Sequence, residues 1–354
     1  MSRMRRTRNK VKIKDIAEHL GVSSASVSRA LNHKTEHMIS EPVVARIKHA
    51  ARELGYLPNL SAAALRTDRS HIVGVVVPDI MNPVFTAIIK GIQDHLQRNA
   101  YVTLIANSDN DQQIALNEVR KLITRQVDGL ILAHAFLDDL SVNECLLQGI
   151  PTVLVYRSIA NAAQVHQILN DDMYGLKLAI EHLKALGHRR LMHLAGPQNI
   201  LHGKKRLEIF QRLCAQHDLA AEHLIVNAFS VDAGCDGASR YLAIESAATA
   251  ILAGNDLIAV GAIATLRKAG LKVPRDISVV GFNNMPLSDM LSPPLTTVAI
   301  PHIEFGKQAA RLLLHVIEDR EISRQRLLLA PKLVIRDSTA RSRPRETVRT
   351  GCSV

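Results

Sequence analysis

Tryptophan is absent from the 354 residues and all aromatics together make up 3%, which leaves few flat platforms for stacking the bases of single-stranded nucleic acid. Only four cysteines occur, Cys145, Cys214, Cys235 and Cys352, far apart and without a Cys-x-x-Cys pair. That usage fits reduced thiols and argues against a disulfide framework or structural zinc. No apolar run approaches the roughly 20 residues that a bilayer-spanning helix needs. The first ten residues carry Arg3, Arg5, Arg6, Arg8 and Lys10 and contain no apolar segment of the kind a signal peptide uses. A cytoplasmic protein without a membrane partner is therefore expected. Also missing are the Gly-x-Gly-x-x-Gly and Gly-x-x-x-x-Gly-Lys-Ser/Thr loops of nucleotide-using enzymes and the Gly-x-Ser-x-Gly elbow of hydrolases. With no catalytic spacing among the carboxylates and histidines, neither an enzyme nor a cofactor nor a metal is expected.

Charge is abundant but unevenly placed. Residues 1–70 carry a net charge of +8 and residues 336–354 a net +3, so the formal +11 of the chain sits at its two ends and the middle is balanced. A basic end suits a polyphosphate partner whose counterions it would release. For the C-terminal end, with Arg341, Arg343, Arg345 and Arg349, a solvated basic tail over 341–354 suffices.

The N-terminal end carries more than charge. Ile13, Ile16, Ala17 and Leu20 fall at the i, i+3, i+4, i+7 spacing of one helical face, and Gly21 supplies the left-handed stop. Ser23 is placed to cap a second helix, Val27, Ala30 and Leu31 give it an inner face, and Ser24, Ala25, Ser28 and Arg29 share the outer one. Two short helices joined by a glycine turn, the second with a polar stripe ending in arginine, describe a helix-turn-helix that reads a major groove; a hairpin that merely packs is the plainer alternative. A third helix is signalled from Ser40 through Val44, Ile47, Ala51 and Leu54 to Gly55. Pro58 then breaks the chain, and residues 59–67 form an alanine-rich piece too short to be a stable helix alone.

From Ile72 the pattern changes to apolar runs of strand length alternating with helical periodicity. Strands are expected at 72–77, 102–106, 129–133 and 152–155, and again at 191–195, 224–228, 250–253 and 277–282. The helix between the series is marked by Asp171 or Asp172 as cap and Gly187 as stop. Such alternation implies two parallel sheets covered on both faces, with a ligand cleft between two lobes.

Head, linker and body in this order resemble the transcription regulators of the lactose and galactose repressor family. The resemblance runs from about Val11 to Ala340. It rests on residues 13–32, on Leu-Gly-Tyr-Leu-Pro-Asn at 54–59 and Val-Pro-Asp-Ile-Met-Asn-Pro-Val-Phe at 77–85, on Gly-Asn-Asp-Leu-Ile-Ala-Val-Gly-Ala at 254–262, on Val-Pro-Arg-Asp-Ile-Ser-Val-Val-Gly-Phe at 273–282, and on Pro-Pro-Leu-Thr-Thr-Val at 293–298. It implies a small all-α helix-turn-helix head over 1–57, a hinge over 58–70, and a two-lobed α/β body over 71–340 like that of periplasmic binding proteins. Lobe 1 would span about 71–170 and 302–329, and lobe 2 about 171–298 and 330–340.

The same resemblance implies a homodimeric repressor of a palindromic double-stranded operator, controlled by a small-molecule effector: a sugar, sugar acid or sugar phosphate. Ser23, Ser24, Ala25, Ser28 and Arg29 would lie at the major groove. Arg29 can hold guanine O6 and N7 or a phosphate, whereas Ser24 and Ala25 are too short for more than a single bond or a methyl contact. Asn59, Ala62, Leu65 and Arg66 would form the hinge, Leu65 wedging into the minor groove once two copies meet on DNA. Asp79, Asn82, Phe85, Tyr156, Arg157, His202, Arg206, Asn255 and Asn283 match effector-binding positions. Where sugar-binding relatives often carry aspartate after the fourth strand the chain has Tyr156, where they carry aspartate after Gly-Phe it has Asn283, and where a glutamine often follows the Thr-Thr strand it has Ile300. With two acids lost while Arg206, Lys204, Lys205, His202 and Arg157 remain, an anionic ligand is expected over a neutral sugar. A periplasmic-type solute receptor shares the body but leaves the basic head unexplained.

Leu65→Ala is expected to abolish operator bending while the body still dimerises. Gel-shift permutation of the operator measures this, and a bend that survives the substitution contradicts the wedge.

Overall fold

The computed structural model describes residues 11–32, 35–56, 69–244, 246–319 and 322–343, in two units that divide after Ser70. The hinge residues Asn59, Ala62, Leu65 and Arg66, and the short helix expected over them, lie outside the described residues.

In the first unit, α1 (Ile13–Leu20) ends at Gly21, whose φ of +64° costs glycine no steric penalty. Helix α2 (Ser24–Ala30) begins at Ser23, whose Oγ accepts the Ser26 N–H at 3.0 Å. The resemblance puts a groove-reading helix over 24–32, but α2 stops two residues earlier, because Leu31 closes the helix and the Thr35 hydroxyl donates to the Arg29 carbonyl. After a single 3₁₀ turn at Glu36–Met38 comes α3 (Glu41–Glu53). Ile16, Val27, Ala30 and Ile47 are fully buried where the three helices meet. That burial leaves Ser24, Ala25 and Arg29 exposed on the opposite side of α2.

The second unit holds two six-stranded sheets. Strands β1 (Ile72–Val77), β2 (Val102–Asn107), β3 (Gly129–Leu132), β4 (Thr152–Val155), β5 (His166–Asn170) and β11 (Arg326–Leu329) form one, in the order β11-β5-β4-β3-β1-β2, all parallel. Strands β6 (Arg190–Ala195), β7 (Ala220–Ile225), β8 (Ala250–Ala253), β9 (Ser278–Asn283), β10 (Thr296–Ala299) and β12 (Lys332–Val334) form the other, in the order β12-β10-β9-β8-β6-β7, with only β12 antiparallel. Helices α4 (Pro83–Arg98), α5 (Gln112–Thr124), α6 (Leu140–Leu147) and α11 (His302–Glu318) belong to lobe 1, and α7 (Asp172–Ala185), α8 (Leu201–Gln216), α9 (Val231–Ala243) and α10 (Asp256–Lys268) to lobe 2. Each lobe contains one very close helix pair made possible by glycine. A Cβ on Gly306 would lie 2.0 Å from the Ile88 carbonyl oxygen, and one on Gly261 would lie 2.0 Å from that of Val231. The chain passes between the sheets after β5, after β10 and between β11 and β12, so the lobes are joined along one side.

Three expectations are corrected. The strand expected at 224–228 is Ala220–Ile225; as an edge strand it alternates between half-buried and exposed residues instead of presenting an apolar run. Strand β5 carries no apolar signature because His166, Gln167 and Asn170 are buried in it, Gln167 held by the Ser158 hydroxyl at 2.7 Å. The ordered chain also extends past 341, since the Ser342 N–H donates to the Leu186 carbonyl at 2.8 Å.

Candidate functional site

The carboxyl ends of β4 and β9 face each other across the lobes, and each delivers one side chain in a strained conformation. Tyr156 follows β4 at φ +67° and Asn283 ends β9 at φ +123°, backbone states that an aromatic or amide residue keeps only where its surroundings hold it. The Tyr156 hydroxyl donates to Asn283 Oδ1 at 2.8 Å. Its ring packs among Phe85 (centroids 5.8 Å apart, edge-on), His202 (5.6 Å), His302 (5.9 Å) and Phe305 (6.3 Å). His202 in turn stacks on Phe229 at 4.9 Å and 11°.

Of the expected effector residues, Asn82, Phe85, Tyr156, Arg157, His202, Asn255 and Asn283 line one compartment together with Val84 and Phe229. Its free volume is about 10 Å³, close to that of one water, so these side chains fill the space themselves. Two of them have structural duties. Asn82 Oδ1 accepts the Val84 N–H and Asn255 Oδ1 accepts the Ile258 N–H, so they cap α4 and α10. Asp79 does not line it, and its carboxylate accepts the Met81 N–H within its own loop.

The two buried arginines differ in their compensation. Arg206 Nη2 lies 2.9 Å from Asp172 Oδ1, its Nη1 donates to the Gly254 carbonyl at 2.9 Å, and its guanidinium sits 3.8 Å above the Phe282 ring. Burial opposes its charge, but Asp172 and Tyr156 outweigh that and raise its pKa. Its charge is thus already met within lobe 2, which corrects the expectation that Arg206 stands ready for an anion. Among the described residues Arg157 has only neutral acceptors, the His134 carbonyl at 3.2 Å and Asn110 Oδ1 at 3.0 Å, and its Nε has no partner there. Burial pushes its pKa down to about 10, against weaker support from Tyr156 and Asp79. Lys204 is solvent-exposed and lines neither compartment.

On the other side of Tyr156 and His202 lies a second compartment of about 200 Å³, which sequence reasoning did not find. Its apolar wall includes Leu169, Met173, Leu201 and Ile209, and its polar lining includes Asn170, Asp171, Asp172, Lys205 and Arg326. Of its lining residues, Asn170 and His202 each bury a side-chain atom, Oδ1 and Nδ1, that has no hydrogen-bond partner among the described residues. The sequence marked Asp171 and Asp172 only as helix-start signals. Asp171 does cap α7, accepting the Tyr174 N–H at 2.9 Å.

Comparison with known proteins places these features in context. Residues 12–59 match the family model of bacterial regulatory proteins of the lacI family, and residues 180–339 match the periplasmic binding protein-like domain. The chain is 30% identical over 330 residues to the HTH-type transcriptional repressor CytR of Escherichia coli (strain K12), covering 92% of this chain and 96% of that protein. It is 30% identical over 328 residues to the ribose operon repressor of Halalkalibacterium halodurans, with the same coverage. Among solved structures, the lac repressor dimer bound to operator and the anti-inducer ONPF superposes with a TM-score of 0.84 at 26% identity, over 94% of this chain and 100% of that one.

Burial lowers the pKa of three histidines inside the body, His193 and His302 to about 4 and His202 well below its ordinary value. Each therefore stays neutral in the folded body while the unfolded chain takes up a proton near pH 6.5. The unfolded state binds more protons between pH 6.5 and 4, so stability is complete above that window and falls as pH drops through it. The melting temperature of the body should decline steadily from pH 7 to pH 5. Each such histidine should contribute up to about 1.4 kcal/mol per pH unit, and His302→Gln should make the decline shallower. An unchanged slope in that variant contradicts the burial argument.

Proposed function

The chain belongs to the lacI family of bacterial regulatory proteins, and on that premise we propose that a small metabolite of the sugar class, held between the lobes, sets its affinity for operator DNA. It is a DNA-binding transcriptional regulator that meets a palindromic operator as a dimer. In this reading it acts as a repressor in the cytoplasm and turns over no substrate.

At the head, Ser23, Ser24, Ala25, Ser28 and Arg29 meet the major groove. The Arg29 guanidinium has no hydrogen-bond partner among the described residues, so it is available to guanine or phosphate. Ser24 and Ala25 read little, and discrimination then falls on Arg29, on half-site spacing and on the kink made by Leu65 between Asn59, Ala62 and Arg66.

In the body, the observation that carries the proposal is the 2.8 Å bond between Tyr156 and Asn283, which ties the two sheets at the strand ends where ligands of α/β folds bind. An effector that inserts beside Tyr156 changes the relative stability of the bonded and separated lobe arrangements. The two hinges then approach each other differently across the dimer. The effector is a sugar, sugar acid or sugar phosphate, and Asp79, Asn82, Phe85, Tyr156, Arg157, His202, Arg206, Asn255 and Asn283 form its surroundings, directly or by holding the lining.

Because coupling between two binding sites is reciprocal, an effector that changes operator affinity by some factor must have its own affinity changed by the same factor when operator is bound. Fluorescence anisotropy with operator, combined with calorimetry of the effector in the presence and absence of operator, should return equal factors. A metabolite that binds the cleft and leaves operator affinity untouched contradicts the proposal.

A further inference from the structure

The 200 Å³ compartment behind Tyr156 does not end at its own walls. A space of about 320 Å³ adjoins it, and the two share Ser158, Leu169, Leu201, Lys205 and Arg326. The outer space is bounded by β5 and the segment 158–165 of lobe 1, by the start of β11, and by the first turns of α8 in lobe 2. Its charged lining consists of Arg324, Arg326 and Lys205, with no carboxylate. Arg324 is oriented by the Gln164 carbonyl at 2.9 Å and lies 3.1 Å from His166 Nε2. Burial, reinforced by that guanidinium, lowers the His166 pKa. Lys205 and Arg326 have no hydrogen bond or ion pair with the described residues.

The nearest acids do not offset these charges. Asp172 is paired with Arg206 and accepts from the Asn170 amide at 2.9 Å, and Asp171, which caps α7, is one acid against the three cations. Leu201 opens α8, a helix of 16 residues whose N-cap, Ile200, offers no side-chain acceptor. Its free N–H groups add positive potential beside the three cations. Asn170 and His202, which line the inner compartment, are each more than nine-tenths buried, and Asn170 Oδ1 and His202 Nδ1 have no hydrogen-bond partner among the described residues.

We propose that the two spaces form one subsite for an organic phosphate. The body of the ligand, presenting an apolar face to Leu169 and Leu201, occupies the inner compartment. The phosphate lies in the outer one between Lys205 of lobe 2 and Arg326 of lobe 1, with Arg324 alongside. A phosphate monoester carries about −1.5 to −2 charges near neutral pH and suits a lining that holds three cations and no carboxylate. A neutral ligand leaves their mutual repulsion in place. Since Lys205 and Arg326 belong to different lobes, the phosphate bridges the lobes and favours the arrangement in which both reach it. This rests on reading the cleft as the effector site, and it moves the anionic end of the effector from Arg206 to the side where the lobes are joined.

The test uses the full chain with phenyl phosphate as probe and phenol as its neutral counterpart, titrated calorimetrically into wild type and a Lys205→Gln/Arg326→Gln variant. Both substituted residues are solvent-exposed, and an unchanged melting temperature verifies that the variant folds. The expected result is binding of phenyl phosphate to wild type at least ten-fold tighter than to the variant, with phenol unable to distinguish the two. Equal affinity of phenyl phosphate for both proteins, or none for wild type, overturns the subsite. Operator affinity measured in the same samples separates the two levels. Variant-sensitive binding that leaves operator affinity unchanged upholds the subsite and overturns the effector reading instead.

Discussion

One hydrogen bond between two strained residues organises the regulatory body. Tyr156 at φ +67° and Asn283 at φ +123° occupy backbone states that cost of order 1–3 kcal/mol each, and each state aims its side chain at the other lobe. The strain persists because packing determines it from several directions. Phe85 and Phe305 meet the Tyr156 ring edge-on, and His202 and His302 flank it. The family resemblance places acidic residues at these two positions in many sugar-binding relatives, where both would face a sugar. In this chain they are a donor and an acceptor for each other, and the free space around them is about 10 Å³.

Much of the surrounding chemistry follows from that closure. With Tyr156 filling the front, the usable volume lies behind it, against the strands and crossovers that join the lobes. There the charges are sorted. Arg206 is neutralised by Asp172, Arg157 is held by amide and carbonyl oxygens, and Lys205 and Arg326 remain at the rim. The two histidines next to Tyr156 are kept neutral by burial, so at neutral pH their unpartnered ring nitrogens add hydrogen-bonding capacity without adding charge.

The head and most of the strands were legible in the sequence because their signals are local. The glycine at φ +64°, the Ser23 cap and the apolar face of α1 lie within a dozen residues of one another, and β1, β8 and all of β4 after Thr152 are apolar runs. Strand β5 was hidden because its buried polar residues find partners that only the folded chain supplies, and β7 was placed a few residues late because an edge strand need not be apolar throughout. At the site, residue identities were legible but their relationships were not. The Arg206–Asp172 pair spans 34 positions and the Tyr156–Asn283 bond spans 127. Neither spacing has a periodicity that a sequence reveals, and so the loss of two acids looked like a surplus of cations at Arg206 when Asp172 had already met it.

The Tyr156 hydroxyl ties the two lobes at the ends of β4 and β9. Tyr156→Phe keeps the ring and its aromatic neighbours and removes only the donor. Pulsed electron–electron resonance between a spin label on α5 of lobe 1 and one on α9 of lobe 2 reports the separation directly. A single narrow distance in wild type that broadens and lengthens in the Phe variant is the predicted result; identical distance distributions in the two proteins would contradict the account.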